Sequence, residues 1–376
     1  MKIVFLCGSF EPGRDGVGDY TRRLSLELRA SGHQTAVISI YDRFVHEVTS
    51  GEAVMAEGPL PVLRIPHIIA EKEGFKLMKD FVETFDPDWL SLQYVPFSFH
   101  PKGLPFTLPA RLAALGKGRK WEIMFHEIAV GMHVGATAKL LLWGEVQKII
   151  ARVLLYKLKP VLVHTHTQVY RKQLEKFGVQ VSLLPLFSNI PLRYEDTVRK
   201  KTSERPVLQG TVELLVFAAV QEGAPIDQLA AEAKAYSQVN NVQIRLCFVG
   251  KSGPEQDRWL AAWRKAGLDA VQLGMKTEEE VSLILSNAVY GLFSTPLVLM
   301  GKSGAVAAMR EHGIHLLCVA RDWAPRGFKV TADDPSIQAY AGGNFGAFLE
   351  SKPDFSSTPS LRKTSEQLIN ELLMHE

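Results

Sequence analysis

Short, continuous apolar runs alternate with segments of helical period from one end of this chain to the other, and few folds accept such an alternation. The first run, KIVFLC, stops at the polar, glycine-rich loop SFEPGRDGVGDY, after which a helical pattern continues to about residue 30. Gly32 sits just past the last periodic position, where a glycine ends a helix, and TAVISI supplies the next strand. An apolar strand without polar alternation is buried on both faces, so this opening predicts a parallel sheet covered by helices on each side. The pattern recurs as a helix near 71–85, the strand WLSLQYV, a helix near 106–116, the strand WEIMFHE, a long helix over about 137–158, and the short strands VLVHT and VSLLP.

Residues 191–209 lack that periodicity, are charged and are interrupted by proline, which reads as a linker between domains. The same grammar restarts after it with the strands ELLVFAAV, VQIRLCFVG, AVQLG, AVYGLFST and IHLLCVA, separated by helices near 226–237, 255–266, 277–286 and 303–312. A length of 376 residues suits two domains. The expected architecture is therefore α/β, with two tandem Rossmann-like, doubly wound domains at 1–190 and 210–358 and a cleft between them. A final helix over 359–376 is expected to pack back on the first domain.

Composition narrows the function classes. Forty-three Lys and Arg against 40 Asp and Glu leave a net charge of +3, too balanced for nucleic-acid binding by bulk electrostatics. Cys7, Cys247 and Cys318 each sit alone in an apolar run, without the paired spacing of a zinc site, so no metal is expected and a reducing cytoplasm is. No apolar run approaches the length of about 18 residues that crosses a bilayer. The helix KLLLWGEVQKIIARVLLYKLKP carries an apolar stripe through Leu142, Val146, Ile149, Ile150, Val153 and Leu154 beside Lys148, Arg152 and Lys157. That stripe reads first as the core side of a sheet-covering helix, with weak contact to the inner face of an anionic membrane as the alternative.

In open parallel sheets, ligands gather at the carboxyl ends of the strands. The loop Asp15-Gly16-Val17-Gly18-Asp19-Tyr20 follows the first strand and opens a helix, where glycines and leading amides suit an anion. It is neither GxxxxGK[ST] nor GxGxxG, which weakens the P-loop and dehydrogenase readings. Gly301-Lys302-Ser303-Gly304 repeats the arrangement in the second half, and Gly250-Lys251-Ser252-Gly253 is a third candidate. An ordinary tight turn at Gly16 and Gly18, or a plain helix cap at Ser303, is the competing explanation. His126 and Glu127 end one apolar strand and His164 and His166 another.

Taken together, EPGRDGVGDYTRRLSLELRASGHQTAVI, LQYVPFSFHPKG, FHE, FVG and STPLVLMGKSGAVAAMREHG, in that order over about residues 1–320, resemble GT-B glycosyltransferases of the family-four type. The resemblance implies a nucleotide-sugar donor held mainly by the second domain and an acceptor held mainly by the first. It implies transfer to a hydroxyl without metal, and the retaining outcome typical of that family. It places Gly16, Val17 and Gly18 near the donor diphosphate, with Lys251, Lys302, Ser303 and Gly304 on the donor side. Asp15, Asp19, Tyr20 and Glu127 fall on the acceptor side, and His126 near the transferred sugar as the catalytic candidate.

The chain departs from the family pattern where Leu299 and Ala307 stand in place of two glutamates, and where Gln221 and Glu222 follow Val220 in place of a basic pair. The implied co-substrate is a nucleotide diphosphate sugar with no resident cofactor, and the acceptor is a glycan, a lipid-linked sugar or a small molecule. The alternatives are a catalytically silent GT-B protein that binds a glycan or a partner transferase, and a nucleotide-sugar epimerase.

Overall fold

The structure, a computed structural model, describes residues 1–376 apart from 56–57, 204–209, 218, 252, 332–333, 335–336, 353, 356–357, 359 and 376. The chain divides into two compact units. The first comprises Met1–Pro185, Pro325–Lys329 and Leu361–Glu376; the second comprises Leu186–Ala324 and Val330–Ser360.

In the first unit the strands are β1 (Lys2–Cys7), β2 (Gln34–Asp42), β3 (Thr49–Met55), β4 (Gly58–Pro66), β5 (Trp89–Tyr94), β6 (Lys120–Phe125), β7 (Leu162–Thr165) and β8 (Ser182–Leu183). Their order across the sheet is β3-β4-β2-β1-β5-β6-β7-β8, and every pairing is parallel except β3 with β4. Strand order reverses between β1 and β5, so loops leaving those strands open the crevice where such sheets take ligands. All six residues of β5 are buried, Ser91 and Gln93 included, as a strand covered on both faces requires.

The antiparallel β3–β4 hairpin has no counterpart in the sequence reading. Pro59 and Pro61 interrupt β4, and proline cannot donate to a ladder. Both stand before Val62, the first β4 residue paired with β2, so the prolines face only the edge strand β3.

The second unit has β9 (Thr211–Phe217), β10 (Gln243–Val249), β11 (Asp269–Gln272), β12 (Tyr290–Phe293), β13 (His315–Cys318) and β14 (Gln338–Ala339), in the all-parallel order β11-β10-β9-β12-β13-β14. Its reversal lies between β9 and β12. Leu214, Leu246 and Phe248 pack there with Trp259, Trp263, Phe345 and Phe348 on one side of the sheet. The three cysteines are free and buried.

Two expectations change. The segment 191–209 is not plain linker: it holds the helix Glu195–Ser203, and the units divide earlier, at Pro185 and Leu186. Glu195 and Asp196 in its first turn favour the helix through its dipole, which an apolar-period test does not register; residues 204–209 lie outside the described ones. The stripe of the helix Ala138–Leu158 also splits. Ile150 and Leu154 are core, whereas Leu142 is 71% exposed, Ile149 54% and Val153 39%, with Tyr156 74% exposed in line with them.

Candidate functional site

The loop after β1 is held by carboxylates. Asp42, fully buried, accepts from Phe10 N, Ser39 Oγ and Arg64 Nε, and Arg64 continues to Glu11. Burial opposes its charge, yet Arg64 and these N–H groups hold the Asp42 carboxyl below the usual range.

Asp15 caps the helix Gly16–Ala30, its Oδ1 accepting from Val17 N at 2.9 Å and Gly18 N at 3.0 Å. The amides expected to meet a diphosphate therefore meet Asp15, so the Val17 and Gly18 donors are already engaged. Asp19 accepts from Gly13 N at 3.1 Å and pairs with Arg22, so it shapes the loop from inside. Burial raises the pKa of both carboxyls. Tyr20, 1% exposed, is a buried packing group and offers no acceptor surface. Glu127 is half-buried, its amide donating to Tyr94 O at 3.4 Å.

The two glycines differ. A Cβ on Gly18 would stand 2.7 Å from Ser9 O, so only glycine lets the helix approach the β1 loop. A Cβ on Gly16 would meet nothing within 4 Å.

His126 follows β6 and is 6% exposed. Its Nε2 lies 2.9 Å from Gln93 Oε1 and its Nδ1 2.9 Å from His166 Nε2, while His166 Nδ1 reaches Leu184 O at 2.8 Å. Tyr20 packs edge-on against both rings. A carbonyl only accepts, so His166 Nδ1 carries a proton. Gln93 Nε2 donates to Ser91 Oγ, so its Oε1 accepts and His126 Nε2 carries a proton too. The bond between the rings needs a third N–H, one more than two neutral imidazoles hold. Burial, then repulsion from His166, pushes His126 well below the ordinary histidine range. Both ring nitrogens of His126 are spent on protein partners, so the residue positions its surroundings instead of serving as a free base.

His164 leaves β7 on the other side. Its Nδ1 lies 2.8 Å from Glu122 Oε1 and its Nε2 2.8 Å from Glu371 Oε2 on the helix Leu361–Leu373. Burial alone would lower its pKa, but the two carboxylates carry it up to about 9. Ser91 donates to the other Glu122 oxygen, joining this ion cluster to the Gln93–His126–His166 chain. Gln93, Glu122 and Asp42 were not singled out in the sequence; each is a polar residue in a mostly apolar strand, a signal that appears only once the strands are aligned.

In the second unit, Ser303 caps the helix Gly304–Glu311, accepting from Val306 N at 3.4 Å, and follows a 3-10 turn over Leu297–Lys302. Gly304 and Ala305 supply the leading amides, which have no helical carbonyl to meet. Lys302, Ser303 and Gly304 are half-buried at the carboxyl side of β12. Nearby, Gln221 N donates to Ser294 Oγ at 2.7 Å, tying the loop after β9 to the end of β12 across the reversal. Lys251 is exposed after β10, with Gly250 and Gly253 at positive φ, and Ser252 lies outside the described residues.

No family model and no curated protein sequence matches the chain. Solved structures do. HepE from Anabaena in complex with UDP-glucose superposes with a TM-score of 0.62 at 13% identity, over 100% of both chains. The catalytic domain of starch synthase IV from Arabidopsis thaliana, bound to ADP and acarbose, gives 0.56 at 13% over 100% of this chain and 99% of that one. The UDP-GlcNAc 2-epimerase from Neisseria meningitidis, bound to UDP-GlcNAc, gives 0.55 at 10% over 100% of both. These likenesses establish architecture: the chain has the GT-B fold, two doubly wound α/β units built from one polypeptide.

Proposed function

We propose that the protein is a glycosyltransferase moving a sugar from a nucleotide diphosphate sugar to a hydroxyl acceptor, without metal or resident cofactor and with retention. One observation carries this reading: across their whole length, structures that share both sheets hold UDP, UDP-glucose or ADP. The second unit binds the donor through Lys302, Ser303 and Gly304, with Lys251 contributing. Leading amides and an ammonium at a helix start stabilise the charge that builds on a departing diphosphate.

A calorimetric panel of UDP, GDP, ADP and TDP and their sugars tests the donor. One member is expected to bind, and Lys302→Ala is expected to weaken it about tenfold, the loss of one charge-assisted hydrogen bond. The absence of binding by every member rejects the transferase. The epimerase likeness makes a second reading specific: conversion of a UDP-sugar with no acceptor present would favour it.

The same proposal places the protein at the cytoplasmic face of an anionic membrane. Leu142, Ile149, Val153 and Tyr156 form one exposed line on the helix Ala138–Leu158, flanked by exposed Lys139, Arg152 and Lys157. Apolar insertion and cationic flanks together suit an anionic bilayer surface. No helix among the described residues is long and apolar enough to cross a membrane. Sedimentation with phosphatidylglycerol vesicles is expected to carry the protein down, and Ile149→Glu to release it. Equal binding to phosphatidylcholine alone would reject the electrostatic part.

A further inference from the structure

The first unit contains a cavity of about 230 Å³ that the loops discussed above do not line. Its walls come from the carboxyl ends of β2 and β4, at Tyr41 and Ile65, and from the segment after β5, at Phe99, Leu104 and Leu108. It therefore opens on the edge of the sheet where ligands gather. Against these apolar walls stands Arg111. Its Nη2 donates to the Glu71 carbonyl at 2.9 Å, and its Nη1 stands 3.7 Å from a Glu71 carboxylate that is 62% exposed and also accepts from Thr107. Its Nε is buried with no hydrogen-bond partner among the described residues. The guanidinium is only half-buried, and each Nη nitrogen keeps a second N–H beyond its contact with Glu71, a donor that an oxygen anion in the cavity meets.

A second donor lines the same space. His100 Nδ1 accepts from Lys102 N at 3.2 Å and Leu104 N at 3.3 Å, so its proton sits on Nε2 and the ring enters the lining as an N–H group. Phe106, 65% exposed, closes the lining as an aromatic surface open to solvent. The volume equals about eight waters at roughly 30 Å³ each, below the range of ordinary drug-sized sites. One ring or short chain with an acid group fills it.

We propose that this cavity binds a small amphipathic anion: an apolar ring or short chain whose carboxylate or phosphate meets Arg111 and His100. Its use as the acceptor of sugar transfer, through a hydroxyl on the same molecule, rests on the glycosyltransferase reading. The binding itself does not.

Calorimetry on the full chain without nucleotide tests it, using benzoate and phenyl phosphate as probes, with benzyl alcohol and inorganic phosphate as controls. The two amphipathic anions are expected to bind at least tenfold more tightly than either control, since each control lacks one half of the recognition. Arg111→Gln is expected to remove that preference over benzyl alcohol, and Phe106→Ala, at an exposed site that leaves the fold intact, to weaken the anions severalfold. Benzyl alcohol binding as well as benzoate, Phe106→Ala changing nothing, or UDP displacing phenyl phosphate would each overturn the proposal. Anion binding without any nucleotide binding rejects the transferase and keeps the cavity; nucleotide binding without anion binding does the reverse.

Discussion

Single residues separate packing from ligand contact in the loop after β1. Gly18→Ala drives a Cβ to within 2.7 Å of Ser9 O, a backbone atom that cannot swing aside, and is expected to lose about 1–3 kcal/mol in chemical denaturation. Gly16→Ala meets nothing within 4 Å and is expected to leave stability unchanged or raise it by up to about 1 kcal/mol. If Gly16 approaches a diphosphate, donor affinity falls in that variant while stability does not; unchanged affinity removes Gly16 from the site. The histidine chain gives another residue-scale expectation. Nitrogen-15 NMR of the imidazoles near neutral pH is expected to show His126 neutral with its proton on Nε2. A proton on Nδ1 instead would mean that the Gln93 amide is turned over. A single sequence shows His126 and His166 only as histidines at strand ends; that Gln93 and Leu184 supply acceptors at the two ends of the pair is a fact of register between β5, β6 and β7.

At the scale of elements, the helix Leu361–Leu373 is tied to its sheet by Thr364 on Pro185 O, by Gln367 on Leu183 O and by Glu371 on His164. The His164 pKa, up at about 9 in the folded protein against about 6.5 unfolded, sets the sign of a pH effect. A raised histidine contributes stability that is complete below about 6.5 and is lost as pH climbs through 9, a difference on the order of 3 kcal/mol. Glu371, whose carboxyl is held low chiefly by His164 against its burial, acts in the opposite direction, its contribution fading only as pH falls below the usual carboxylate range. Hydrogen exchange in residues 361–373 is expected to quicken between pH 6.5 and 9 beyond the intrinsic rise, and His164→Gln is expected to abolish that pH dependence.

The elements themselves were largely legible from period and punctuation. Ala138–Leu158, Glu255–Lys265 and Gly304–Glu311 begin and end within a residue or two of the ranges 137–158, 255–266 and 303–312 read from the sequence. What stayed hidden was the β3–β4 hairpin, masked by its prolines, and the exposed line on Ala138–Leu158. Periodicity shows that a helix has an apolar side, and not whether protein covers all of it.

At the scale of the whole molecule, neither unit is one stretch of sequence. The chain leaves the first unit after Pro185, returns for Pro325–Lys329, and returns again at Leu361. The short return is anchored: Arg326 N donates to Met132 O at 2.8 Å, and Lys172 Nζ donates to Lys329 O at 2.7 Å. Apolar period locates strands and helices but says nothing of such returns, because they depend on which surface a helix finally covers. Ending the chain at residue 360 removes the buried Leu368 and Leu372 and strips His164 of one carboxylate partner. Thermal unfolding of that truncated protein is expected to begin at a lower temperature, and a peptide of residues 361–376 supplied separately to restore part of the loss.

These returns also order events during synthesis. The second unit has all its residues once Ser360 has been made, whereas the first waits for Leu361–Glu376 although its opening strand was translated earlier than any part of the second. Domains generally fold as units, earlier ones first, as the ribosome releases them. Here the unit begun first is finished last, so its β8 side stays uncovered while the whole second unit is made, an interval in which a nascent-chain chaperone has something to hold.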